Sequence, residues 1–351
     1  MIVCVYTSLV ARDYSLTGPE NDRAAQSGLA GATWYKSPVE RDELLAIMTR
    51  RNNPATFHTI LWLALTVAAG WWLVVTWLSW WTLPAAFVYG TLYGSASDAR
   101  WHECGHRTAF RSRWANDVVY QIASFMDVRE PVSWRWSHHR HHADTIIVGR
   151  DPEIAYQRPV RFWKIVADMF GILSTWAEFK KYAANVVGKL TAAEADYVPP
   201  REAARAIFWG RTHAAIWIVT AAISVVTTSL LPLMLVGLPS LYGRWLLVVF
   251  GTTQHAGLAE DVLDHRLNTR TVYMNPVLRF LYLNMNYHLE HHMFPSVPYH
   301  NLPRLHRLIG HDLPAPYRGI IHAYRDIIPA LWRQRTDLAY QMSPEIPSAT
   351  A

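Results

Sequence analysis

NNPATFHTILWLALTVAAGWWLVVTWLSWWTLPAAFVYGTLYGSASDARWHECGH, residues 52–106, is the stretch that decides the fold. From Asn52 to Ala99 it holds no Lys or Arg. Ala55 to Val75 is almost wholly apolar, about the ~20 residues that cross a bilayer. A break follows at Ser79-Trp80-Trp81-Thr82-Leu83-Pro84, whose Trp residues suit a membrane–water interface. A second apolar run then reaches Ser97, so the segment reads as a transmembrane hairpin. The pattern recurs: Thr212 to Gly243 again lacks Lys and Arg, with Pro232 and Pro239 near its turn. The expected spans are about 55–76, 80–98, 213–230 and 231–251. The alternative, buried hairpins of a soluble protein, is disfavoured because a soluble helix carries charge on one face.

The fold expected is therefore all-α: a membrane protein with four transmembrane helices in two hairpins and a cytoplasmic helical cap. Residues 1–54 read as a loose cytosolic arm, 55–310 as the membrane domain and 311–351 as a cytosolic segment. The apolar stretch Met1–Val10 lacks a basic flank and a cleavage site, so it is not read as a signal peptide. A hairpin returns to the side it left, so the arm, the 100–211 segment and the C-terminal third share one side. Of the 33 Lys and Arg, all but Arg244 lie there, which makes that side cytoplasmic. Phe162–Lys181 suits a helix lying along the interface.

Composition agrees. Of 351 residues, 51% are hydrophobic and 17% charged, below the roughly 25% of soluble domains. The net charge of +6 comes from scattered residues, with no basic run, so nucleic acid is not an expected partner. Two cysteines, Cys4 and Cys104, exclude a disulfide scaffold and a four-Cys zinc site.

The chemistry lies in the 17 histidines. Nine fall in His102-Glu103-Cys104-Gly105-His106, His138-His139-Arg140-His141-His142 and His288-Leu289-Glu290-His291-His292. On a helix, residues i, i+3 and i+4 share a face. His102 and His106 then point together, as do His138, His141 and His142, and His288, His291 and His292. His139 sits about 100° off its face. Neutral imidazole suits Zn, Cu, Fe and Ni. A zinc site takes four ligands, so eight or more imply two metals. His255, in Gln254-His255-Ala256-Gly257, is a ninth candidate, with His265 as its rival. Candidates to orient the imidazoles are Asp98, Glu103, Asn284 and Glu290.

At these residues the chain resembles the membrane fatty-acid desaturase superfamily, whose three histidine boxes match HECGH at 102–106, SHHRHH at 137–142 and NYHLEHHMFP at 286–295. The resemblance implies a four-span bundle with a non-haem di-iron centre. The implied ligands are His102, His106, His138, His141, His142, His288, His291 and His292, with His255 similar to a further ligand of some members. Departures are His288 where front-end desaturases carry Gln, and no His-Pro-Gly-Gly haem motif. Residues 143–154 and 265–271 resemble a bacterial subgroup acting on small amino acids such as dihydrorhizobitoxine, implying an inner-membrane location. Arg140, Arg150, Asp151, Glu153 and Asn286 are the groups expected to pair such a zwitterion.

The activity implied is O2-dependent desaturation by two Fe2+ ions, with membrane lipid around the chain. No nucleotide-binding Gly motif appears, so electrons are expected from a separate donor such as a ferredoxin, which a basic face would attract. Hydroxylation and ketolation remain open at this stage. A membrane zinc protease using His102-Glu103-x-x-His106 leaves the other clusters unexplained. A transporter would hold ionisable residues inside its spans, whereas 52–97 and 212–243 hold no Asp, Glu, Lys or Arg.

Overall fold

The computed structural model describes residues 12–347, so the Met1–Val10 reading falls outside the described residues. Within them the architecture is all-helical, with only two isolated bridges, Thr271 to Tyr287 and Val272 to Tyr317.

Two helices are long and apolar enough to cross a membrane. Asn52–Val75 and Ala203–Val226 have 24 residues each, about 36 Å at 1.5 Å per residue. Only 28% and 22% of their most apolar windows are buried in the protein, too little for core helices of a soluble fold. Phe57, Ile60, Val67 and Trp71 on the first, and Ile218, Val219 and Val226 on the second, face outward.

The return segments differ from expectation. Neither 80–98 nor 231–251 is an unbroken helix. The first is Thr82–Gly94 and Ala96–Gly105, interrupted at Ser95. The second is Leu231–Leu235, Pro239–Tyr242 and Trp245–His255. Pro232 and Pro239 each start a short helix, where a missing N–H costs nothing. Arg244, inside the fourth predicted span, falls at the last break and approaches Asp168 at 3.7 Å. The two breaks are stitched together. Ser95 Oγ donates to the Gly243 carbonyl (2.6 Å) and accepts from Leu247 N (2.9 Å). Backbones touch here because the residues are small: a Cβ on Gly243 would lie 1.9 Å from Gly90 O.

The 15–54 arm is not loose. The Trp34 ring stacks on His265 at 4.2 Å, and Tyr35 N donates to Leu263 O at 2.9 Å. Ser37 Oγ donates to Asp312 at 2.6 Å. The C-terminal segment also docks, through the Ile320–Arg333 helix against Trp245–His255. The segment expected to lie along the interface is two helices, Phe162–Met169 and Ile172–Val186, joined at Gly171. Trp163, Val166, Phe170, Ile172 and Trp176 are exposed on it, an apolar face suited to an interface. The cap's core gathers Phe110, Tyr120, Tyr282, Met285, Leu289, Met293 and Leu305 beneath the histidines.

Candidate metal centre

Four elements deliver the imidazoles. Ala96–Gly105 carries His102, with His106 at its C-cap. Pro131–Ala143 carries His138, His141 and His142. Its start is fixed by Pro131 at the first position and by the Glu130 carboxylate, which accepts from Val132 N (2.9 Å) and Ser133 N (2.5 Å). Trp245–His255 ends on His255, and the short His288–Met293 helix supplies His288, His291 and His292.

The nine side chains fall into two groups. His102, His106, His138, His142 and His291 form one; His141, His255, His288 and His292 form the other. Within each group the candidate donor atoms lie within 4.8 Å of one another. The helical faces read from sequence are divided between the groups at i, i+4 pairs: His138 with His142, and His288 with His292. His139 is exposed and belongs to neither. His265 also stands outside, stacked on Trp34, 5.2 Å from the His292 ring. Burial lowers its pKa to about 3.

Partners on the outer nitrogens fix the tautomers. His138 Nδ1 donates to Glu153 (3.1 Å), His141 Nδ1 to Asp151 (2.8 Å) and His255 Nδ1 to the Asn268 carbonyl (2.8 Å). His292 Nδ1 donates to Thr145 Oγ (3.2 Å), whose own proton goes to the His141 carbonyl. Each Nε2 of these four therefore turns a lone pair inward. His288 Nε2 sits 3.1 Å from His255 Nε2 and 3.0 Å from His292 Nε2. It has at most one proton for two lone pairs, so a lone-pair conflict remains that a cation resolves. Burial and then the neighbouring imidazoles hold His102, His106, His142, His255, His288, His291 and His292 well below the usual 6.5. Burial also opposes charge on His141, but Asp151 outweighs it and raises that pKa. Neutral, buried imidazoles with inward lone pairs fit two metal ions.

Residues 78–324 match the family described as fatty acid desaturase. The chain belongs to that family. Among its relatives, an omega-6 fatty acid desaturase of the endoplasmic reticulum (isozyme 1) from Glycine max is 25% identical over 72% of each chain. The Delta(5) fatty acid desaturase of Caenorhabditis elegans is 24% identical over 71% of this chain and 61% of its own. An sn-1 oleoyl-lipid 12-desaturase from Synechocystis is 33% identical, but over only 22% of each chain. The chain is thus an oxidoreductase of the desaturase type.

The orienting groups of this desaturase are not those expected. Asp98 pairs with Arg129 at 2.6 Å. Glu103 accepts from Tyr299 N at 3.1 Å, and its other oxygen has no partner. Asn284 bonds Arg279 and the Tyr299 carbonyl. Glu290 accepts from Thr271 Oγ and pairs with His306. None of the four hydrogen-bonds an imidazole of either group. Proximity in sequence does not decide where a side chain points: Asp98, Glu103 and Glu290 face away from the imidazoles on their helices, and Asn284 lies in the turn before His288–Met293. Asp151 and Glu153, read as substrate contacts, orient imidazoles instead, because the loop after residue 143 folds back on its own helix. Arg140 and Arg150 both pair with Asp144 (Arg150 at 3.1 Å), and Asn286 Nδ2 donates to Val272 O. Asn286 Oδ1 has no partner, but the charged members of this set are engaged internally rather than free for a zwitterion.

Proposed function

We propose that the chain is an O2-dependent acyl desaturase that binds two irons, one in each histidine group. The observation that carries this is the five-and-four division of nine imidazoles, seven of which burial holds below their usual pKa and four of which turn an Nε2 lone pair inward. The overall change is CH2–CH2 + O2 + 2e⁻ + 2H⁺ → CH=CH + 2H2O, so two electrons must come from outside. Iron supplies the redox chemistry that activates O2; zinc has none. The chain's own part is to hold the imidazoles neutral, fix them through Asp151, Glu153, Asn268 and Thr145, and bury the centre away from water.

An acyl chain is preferred to dihydrorhizobitoxine for two reasons. The relatives above are acyl desaturases by name, and the residues expected to pair an amino acid are engaged internally. Glu103 argues against the zinc protease, because it faces Tyr299 rather than the imidazoles. Whether the substrate is left with C=C or an alcohol depends on how closely two neighbouring carbons are placed. The family favours C=C over hydroxylation or ketolation. The donor fits a small acidic protein such as a ferredoxin, and the location a bacterial inner membrane with the centre on the cytoplasmic side.

The test is metal content with product analysis. Purified protein should carry two irons per chain and yield acyl chains two hydrogens lighter. His291→Ala and His141→Ala, one in each group, should each lose about one iron and all turnover. Full activity in a zinc-loaded, iron-free preparation would overturn the reading.

A further inference from the structure

Beside the five-imidazole group lies a cavity of about 330 Å³, within the range of small-molecule sites. His102, His106 and His138 line it, so an occupant reaches the centre itself. Arg107, Arg113, Arg135 and Arg205 also line it. Their partners are too few. Asp117 alone takes Arg107 at 3.0 Å, Arg135 at 3.1 Å and Arg113 at 3.9 Å. Glu202 approaches only Arg205, at 3.6 Å. Four guanidiniums share two carboxylates, leaving an excess of positive charge. The buried Nε of Arg135 and Oε1 of Gln121, a further lining residue, have no partner.

The surroundings define the rest of the occupant. The Arg113–Met126 helix that supplies Arg113 and Gln121 exposes Trp114, Val118 and Ile122, spaced i, i+4 and i+8. That spacing makes one apolar stripe along the helix. A charged pocket beside an outward apolar stripe suits an amphiphile.

We propose that this cavity holds the anionic group of the acyl substrate, a carboxylate or a phosphate, on Arg107, Arg113, Arg135 and Arg205. The proposal rests on the desaturase reading and narrows its substrate class. Guanidinium matches carboxylate and phosphate geometry through two parallel hydrogen bonds, and four of them with two carboxylates leave donors for an anion. A neutral head would make no such pairs.

The experiment measures equilibrium binding to iron-loaded protein in neutral detergent, without oxygen or electron donor, using radiolabelled ligands and empty micelles as the blank. Oleate presents a carboxylate, oleoyl lysophosphatidic acid a phosphate, and monooleoylglycerol neither. At least one anion should bind ~tenfold tighter than the neutral lipid and weaken with salt. Whichever does so identifies the source. Arg113 and Arg205 are largely exposed, so Arg113→Gln/Arg205→Gln should fold normally. It should abolish most of the anion preference with iron content unchanged. Equal binding of all three ligands, or an unaltered preference in the double variant, would overturn the proposal. Because no turnover is involved, either result leaves the desaturase reading to its own test.

Discussion

Asp151 and Glu153 decide how firmly two of the imidazoles are oriented. Asp151 Oδ2 accepts from His141 Nδ1 and also from Ile146 N, so the loop and the ligand are fixed by one carboxylate. Asp151→Asn keeps an acceptor but removes the charge that raises His141 basicity. Metal retention against a chelator should fall 10–100-fold, the usual cost of losing such a partner. Asp98→Asn should leave iron unchanged, since Asp98 meets Arg129. Glu103→Gln should retain iron and most activity, whereas a zinc protease would lose its general base and all turnover. The histidines were legible because helical spacing alone places i, i+3 and i+4 together. Their carboxylate partners were not. A loop's path back onto its helix depends on tertiary contacts, such as Asp261 accepting from Val148 N, that no spacing encodes.

At the scale of elements, the apolar runs were legible by length and lack of charge, and their interruptions were not. Residues 82–94 and 239–255 look like ordinary spans until Gly90, Gly94 and Gly243 are seen to let two backbones touch. Small residues permit such close approach of helix backbones. Gly243→Ala should therefore be costly, because its Cβ would meet backbone at Gly90 rather than a side chain that can move. Overpacking of this kind costs about 1–3 kcal/mol. Gly251→Ala is the control. It sits inside the Trp245–His255 helix with open space at its Cβ, so the change should be neutral or stabilise by ~0.5–1 kcal/mol. Thermal unfolding of the purified protein, followed by loss of the monodisperse peak, distinguishes the two. Equal melting of both variants would mean that the helix contact contributes little.

Across the whole molecule, the two histidine groups bring together residues far apart in sequence. His102 follows the first return segment, His255 ends the second, and the Pro131–Ala143 helix lies between them. On the proposed four-span topology an even number of crossings separates these three, and both hairpins turn on the opposite side. The chain gives the turns a signature: Leu78, Trp80 and Trp81 at the first are exposed and apolar, and the second turns at Thr227–Leu230 without charge. The arm over His265 and the Ile320–Arg333 helix close the same face, so its charge and the centre share a side. Single cysteines at Gln26, Lys189 and Glu345, all exposed, should react with an impermeant thiol reagent only from the cytoplasmic side. Cysteines at Trp81 and Thr228 should react only from the other. These variants carry Cys4→Ser, and Cys104 is buried and should stay silent. Labelling of Lys189 from the side that labels Trp81 would put an odd crossing between Gly105 and Ala203. The Pro131–Ala143 helix could then no longer bring His138, His141 and His142 to the other six imidazoles, and the two-metal assignment would fall with the topology.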